Sequence, residues 1–284
     1  MRREARGNGA ILPVLHDPCP SGAPIRELRR PGRTVHCSAT VRAMSKLSLD
    51  KILQSQGFGT RKWCRELIVD GEVAVHGYVV SDYRTVFDTE GLEFTIFGVS
   101  WLYREHVYLA LNKPADFECS RKPSHHPSVM TLLPEQFAWR DVQPVGRLDH
   151  DTTGLLLLSD DGAFIHAQSS PRRHIPKLYL ATTHAPVTGQ LVAQLLGGVK
   201  LHDEPAPLAA LSCRQVGEHE IEIVLEQGKY HQVKRMLAAA GNHCTALRRT
   251  AIGGLTLDAL ELEEGEWCYL DDEQLALLVP ESNA

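Results

Sequence analysis

A chain of 284 residues with 43% hydrophobic side chains and a formal charge of −5 is large enough for a small domain plus a medium one. It has no apolar run near the ~18 to 20 residues that span a bilayer, and no Walker loop, G-x-G-x-x-G, H-E-x-x-H or G-x-S-x-G, which sets aside membrane-spanning, nucleotide, zincin and serine-hydrolase readings. Seven dispersed cysteines (Cys19, Cys37, Cys64, Cys119, Cys213, Cys244 and Cys268), none in a C-x-x-C spacing, point to reduced thiols and a cytoplasmic location.

Residues 1–43 hold five prolines and eight arginines against three acids, without apolar periodicity, and read as a disordered leader. An arginine-rich, acid-poor lead fits an organelle transit peptide. A start placed too far upstream, with Met44 the initiator, is favoured because the ordered pattern begins directly after it. The leader's charge of +5 leaves −10 on the rest, so any nucleic-acid partner must meet local basic clusters and not a global field.

Leu49, Ile52 and Leu53 are spaced for one helical face, and Gly57-Phe58-Gly59 breaks it. Thr60 is placed to cap a second helix from Arg61 to Val69, ending at Asp70-Gly71. Trp63, Cys64, Leu67 and Ile68 supply its expected buried side. Arg61 and Arg65 lie at i and i+4 and project together, with Lys62 beside them. Two short strands, Glu72 to Val75 and Tyr78 to Val80, are joined by the hairpin signal His76-Gly77. This pattern of helix, basic helix and G-x-V-x-V-x-G hairpin resembles the S4-type RNA-binding domain, here residues 44–97. The resemblance implies that Arg61, Lys62 and Arg65 touch phosphates, which positions RNA without reading its bases.

A linker is expected near Gly98 to Glu105, and a second domain over 105–281. A strand from Val107 to Leu111 runs into Asn112-Lys113-Pro114. Next comes Gly146 to Gly162, GRLDHDTTGLLLLSDDG, where four leucines bounded by turn signals read as a strand buried on both faces. SSPRRHIPK, from Ser169 to Lys177, is a basic loop leading into KLYLA. Alternation there places Leu178 and Leu180 toward a core and Lys177 and Tyr179 toward a cleft. Thr188 to Leu196 reads as a helix closed by Gly197-Gly198. Glu220 to Glu226 reads as a strand with Ile221, Ile223 and Leu225 inward. Val233, Met236, Leu237 and Ala240 mark an amphipathic helix ended by Gly241-Asn242, with Lys234 and Arg235 in its first turns.

The GRLDHDTTGLLLLSDDG segment closely resembles the central motif of the pseudouridine synthases, in the branch that modifies ribosomal RNA. LNKPADFECS resembles that family's first motif, except that Asp116 stands where the family usually has glycine. KYHQVKRMLAAAGNH resembles its third motif, and Arg248-Arg249 and Ile252 to Leu255 continue the match. The resemblance covers almost everything from residue 47 to about 278. It implies an α+β fold, with a small S4-like domain followed by a catalytic domain built on a central mixed, mainly antiparallel sheet.

It also implies roles. Asp149 is the catalytic acid, Tyr179 stacks on the target uracil, and Lys234 pairs with Asp149, with Arg235 the fallback. Arg147 fills the vacated stack or holds a phosphate, and Lys177 joins it in binding substrate. Turning uridine into pseudouridine exchanges a ribose–nitrogen bond for a ribose–carbon bond in the same ring, so no metal, nucleotide or organic cofactor is expected. The partner is ribosomal RNA; SSPRRH and GVKLHDE look closer to small-subunit than to large-subunit members. A monomer without membrane association is expected.

Two rivals remain: a metal-dependent nuclease on Asp149, Asp151, Asp160 and Asp161, and a non-catalytic ribosome-assembly factor. Adjacent acids on a strand point to opposite faces, so a turn and helix cap is the simpler role for Asp160 and Asp161. The histidines, among them His125, His126, His150, His166, His174 and His202, share no metal spacing, while His231 is placed to position a helix start beside Lys234.

Overall fold

The computed structural model describes residues 46–278, so the expected leader and Met44 lie outside the described residues. The first strand, β1 (Lys46–Ser48), leads into α1 (Leu49–Ser55) and then α2 (Arg61–Val69), which Thr60 caps by accepting the Trp63 amide. β2 (Val73–Val75), β3 (Tyr78–Val79), β4 (Val86–Asp88), β5 (Glu93–Ile96) and β6 (Val99–Leu102) follow. β1 pairs with β4, and the others form an antiparallel sheet in the order β3-β2-β5-β6. Leu49, Ile52 and Leu53 of α1 and Cys64, Leu67 and Ile68 of α2 close on Val73, Val75, Phe94 and Ile96, as the 3.6-residue spacing requires.

Two expectations fail in this unit. Trp63 is 45% exposed: it lies over Gly59, one position off the buried stripe of α2. The expected linker at Gly98 is a strand instead. Phe97 and Gly98 both have positive φ (51° and 79°) and make a tight hairpin turn, so β6 folds back on β5 and lays Trp101 edge-on against Phe58. The N-terminal unit therefore runs through Leu102.

The second unit is built on β7 (Tyr108–Lys113), a 3₁₀ turn at Val129–Leu132, α3 (Glu135–Trp139), β8 (Gln143–Pro144), β9 (Thr152–Ser159), α4 (Gly162–Ser169), β10 (Lys177–Thr183), α5 (Gly189–Gly197), β11 (Ser212–Gln215), β12 (Glu220–Leu225), α6 (Gln232–Ala239), β13 (Cys244–Ile252), β14 (Leu255–Thr256), α7 (Leu257–Leu260), β15 (Trp267–Tyr269) and α8 (Asp272–Ala276). Seven strands form one sheet in the order β11-β12-β10-β13-β9-β7-β15, with β8 and β14 added at the sides. Every pairing is antiparallel except β13 with β9, so the sheet is mixed. Leu156 and Leu158 of β9 enter the core on one face, and Leu155 and Leu157 the core on the other. Each fully buried leucine contributes roughly 1.5–3 kcal/mol.

Strand β10 departs from expectation. Tyr179, Ala181 and Thr183 are its buried residues, the first two packed in the core that α5 and α6 cover, while Leu178 and Leu180 are half-buried. The alternation is right but the faces are exchanged, because the second core, under α7 and the chain end, covers β7 and β9 and does not include these two leucines.

Arg140 fastens the two units together. Its guanidinium donates to Asp160, to the Gln56 side chain and to the carbonyls of Arg104 and Glu105, at 2.8–3.0 Å. Gly57, at φ 85°, packs so closely on α3 that a β-carbon there would collide with the Gln136 carbonyl.

Candidate active site

Asp149 stands in the turn between Gly146, whose φ is 76°, and β9. Two features hold this turn. Lys113, at the end of an apolar strand, is fully buried, and its ammonium donates to the carbonyls of Pro114, His150 and Thr152 at 2.8–2.9 Å. Burial pulls its pKa below the ordinary lysine value, and the nearby charges of Cys119 and three aspartates act against that pull. Gly154, φ 98°, sits where β9 runs parallel to β13, with no room for a β-carbon before the Arg249 carbonyl. On the neighbouring loop Asp116 takes φ 63°, the conformation the family's glycine would adopt, and its amide donates to the His150 carbonyl at 2.8 Å.

The Asp149 side chain is 27% exposed, and each of its oxygens meets a different partner. Lys234, in the first turn of α6, lies 3.3 Å from Oδ2 and donates at 2.6 Å to Asp151. His231 places Nε2 3.2 Å from Oδ1. His231 reaches this position because it stands at the N-terminus of α6 with φ 46°. Partial burial depresses the Lys234 pKa, but the hydrogen bond it donates to Asp151 and the charges of both acids outweigh it and hold the amine above its ordinary value. For Asp151 burial acts upward, and Lys234 again wins, holding that carboxyl low.

Arg147, Leu148, Asp149, Thr152, Tyr179 and His231 line one cleft, together with residues 225 and 227–229, Gln232, Val233 and Leu247. Tyr179 is 8% exposed and forms part of its wall, while Arg147 is exposed at its edge. The arrangement presents a carboxylate, hydrogen-bonded by Lys234 and flanked by the His231 ring, next to an aromatic face in a partly enclosed space.

Other sequence candidates go elsewhere. Arg235 is paired with Asp203 and donates to the Tyr230 carbonyl, so it is not a substitute for Lys234. Lys177 does not line the cleft: its half-buried amine donates to the Ile175 carbonyl, and burial plus the charge of Arg249 lower its pKa to about 8. Arg61 and Arg65 both place Nε 2.8 Å from Asp50, which is 1% exposed, and Lys62 is open to solvent 3.8 Å from Glu66. Asp50 escaped the sequence reading, although an acid inside the apolar pattern LSLDKIL was the signal for it. Lys113 escaped it too, behind the same kind of signal in YLALNK.

The four acids of the nuclease rival are engaged separately. Asp149 and Asp151 share Lys234; Asp160 pairs with Arg140; Asp161 caps α4 and accepts from the Tyr108 hydroxyl. One grouping does have metal-ligand proximity, contrary to the spacing argument: donor atoms of Asp116, His126 and His150 lie within 4.8 Å of one another. The two imidazoles are stacked with planes 10° apart, however, so their in-plane lone pairs run side by side instead of converging.

The RNA pseudouridylate synthase family profile matches residues 107–239. The ribosomal small subunit pseudouridine synthase A of Escherichia coli (strain K12) is 44% identical over 177 residues, which cover 61% of this chain and 74% of that protein. An uncharacterized RNA pseudouridine synthase of Bacillus subtilis (strain 168) is 35% identical over 82% of this chain and 98% of its own length. A crystal structure of a pseudouridylate synthase, 33% identical, superimposes with a TM-score of 0.57 over 82% of this chain and all of that one. Joined to a cleft in which Asp149, paired with Lys234, meets Tyr179, these likenesses make the chain a member of the RNA pseudouridylate synthase family, and so an isomerase of uridine in RNA.

Proposed function

We propose that this enzyme converts one uridine of small-subunit ribosomal RNA to pseudouridine, with Asp149 as the group that acts on the sugar. The observation that carries this reading is the Asp149 carboxylate, held by Lys234 and His231 in a cleft walled by Tyr179. The small-subunit assignment is supported by relatives named ribosomal small subunit pseudouridine synthase A, in Escherichia coli and Yersinia pestis, at 44% and 35% identity.

The target base leaves its stack at a cost of a few kcal/mol. Stacking on Tyr179 offsets about 1 to 3 kcal/mol of that, and Arg147 at the cleft edge occupies the vacated space or holds a phosphate. Asp149 then opens the bond from ribose to ring nitrogen, either by attack on the sugar carbon or by removing a sugar proton. The released uracil anion turns and carbon 5 bonds to the sugar as Asp149 leaves it or returns its sugar proton, while the carbon-5 proton passes by way of the Tyr179 hydroxyl or a water to ring nitrogen 1. Nothing is oxidised and no atom is gained.

The N-terminal unit is the S4-like RNA-binding domain in this proposal, now bounded by residues 46 and 102. Arg61, Lys62 and Arg65 meet backbone phosphates there, and Asp50 fixes both arginines. We place the enzyme in the cytoplasm, as a monomer; no described helix is long and apolar enough to cross a membrane.

The test is incubation of the purified protein with protein-free small- and large-subunit ribosomal RNA, followed by pseudouridine mapping, and the same mapping in a strain lacking the gene. One new site in the small-subunit RNA is expected, missing in that strain and restored with the gene. A site in large-subunit RNA alone would overturn the choice of subunit. RNA binding with no conversion of either would return the chain to the assembly-factor reading.

A further inference from the structure

Tyr230 has no role in the chemistry above, yet it is the large aromatic most exposed beside the catalytic acid. Its ring lies flat on that of His231, centroids 3.8 Å apart and planes at 17°, and His231 in turn reaches Asp149. The residue is 68% exposed, so with one face on His231 the ring keeps a broad surface toward solvent.

A flexible exposed tyrosine would signify little, but this one is held in place from several directions. The carbonyl of Tyr230 accepts from Arg235, which is paired with Asp203. Its predecessor Lys229 is paired with Glu204, and Lys200 donates to the carbonyls of Glu204 and Pro205. The loop carrying Asp203 and Glu204 thus grips the turn at residues 229–231 from both sides, and His231 adds a fixed, left-handed backbone.

We propose that Tyr230 is a stacking platform for the nucleobase adjoining the target uridine, an inference that rests on the RNA isomerase reading of Asp149. An extruded uridine must bring its sugar to Asp149, and the chain of contacts from that carboxylate through His231 to Tyr230 extends to where the next base stands. That base, deprived of its neighbour by the extrusion, exposes an aromatic face, and a rigid tyrosine of matching shape covers it. Stacking does not read hydrogen-bonding groups, so this platform selects for an unpaired neighbour and only weakly for its identity.

The test uses a ribosomal RNA fragment around the mapped pseudouridine, with 2-aminopurine in place of the base on either side of the target. Binding of wild-type protein should quench the fluorescence at one of the two positions. Tyr230→Ala should lose the quenching and raise KM by about 5- to 150-fold, with the single-turnover rate at saturating RNA within about threefold of wild type. Tyr230→Trp and Tyr230→Phe should restore both. Equal quenching and KM in Tyr230→Ala would overturn the proposal. So would a lower single-turnover rate at unchanged KM, which assigns Tyr230 to the support of His231. A wild-type protein that forms no pseudouridine would instead defeat the reading on which the proposal rests.

Discussion

Asp50 in the N-terminal unit and Asp149 in the cleft each stand between two nitrogen-bearing side chains, yet their surroundings differ. Asp50 is 1% exposed while Arg61 and Arg65 above it keep 45% and 40% of their side chains in solvent. Asp149 is 27% exposed, and Lys234 beside it is 23% exposed. In the first case the carboxylate is buried so that it can fix two guanidiniums by their Nε atoms, leaving the terminal nitrogens for an outside acceptor. In the second the acid and its two neighbours are all partly exposed, Lys234 at 23% and His231 at 36%, and the carboxylate faces the cleft. The same pairing serves to aim cations in one place and an acid in the other, and burial decides which.

The sharpest way to break this comparison is Asp149→Asn. It should reduce pseudouridine formation below about 10⁻⁴ of wild type while RNA affinity, measured by filter binding, changes by no more than about twofold. Retained conversion would remove Asp149 from the chemistry. Lys234→Met should come next, losing about 2 to 3 kcal/mol of transition-state stabilisation, or 30- to 150-fold in kcat/KM. Arg235→Met, which removes the Asp203 pair and the hydrogen bond to the Tyr230 carbonyl, should fall well short of that; equal losses would reinstate Arg235 as a partner of Asp149.

On the other side of the comparison, the triple variant Arg61→Ala, Lys62→Ala, Arg65→Ala should flatten the log–log salt dependence of RNA binding by about 2 to 3, with the rate on saturating RNA kept. Asp50→Asn should cost about 1 to 3 kcal/mol of stability. Burial raises the Asp50 carboxyl pKa, but the Ser48 hydroxyl and the two arginines outweigh it and bring it from the ordinary 3.8 to about 2. The ionised form is therefore favoured by folding, and its contribution is present above pH ~4 and lost as pH falls through about 2. Denaturation curves of wild type and variant should converge in that window.

A last test asks what a cation does without an acid. Lys177 titrates at about 8 in the fold against an ordinary 10.5, because of burial and then the charge of Arg249. Between those values the unfolded chain holds a proton that the folded one has released, so stability rises with pH. Wild type should gain on Lys177→Met between pH 8 and 10.5 in urea titrations, and a flat difference would show that the amine is not held as described.

Much was legible before any coordinates. Local periodicity gave α1, α2, α5, α6 and the double burial of β9, since which face is apolar is written in the spacing of side chains along one element. Asp149, Tyr179 and Lys234 were legible through their motifs. The hairpin at Phe97-Gly98 was missed because two left-handed residues make a turn, and a glycine between two short segments looks the same as a linker. The faces of β10 were exchanged because alternation says which residues share a side, not which side receives the covering helices.

The sequence by itself determined several helices and strands, the family and the acid, because each of these depends on residues close together along the chain. Folding decided the partners. Lys234 comes to Asp149 from 85 positions away, Arg140 reaches Gln56 across 84, and Arg235 turns to Asp203 while the residue beside it turns to the cleft. Such choices are made by distance and burial in three dimensions, since a charged group takes whichever opposite charge the packed chain sets nearest to it.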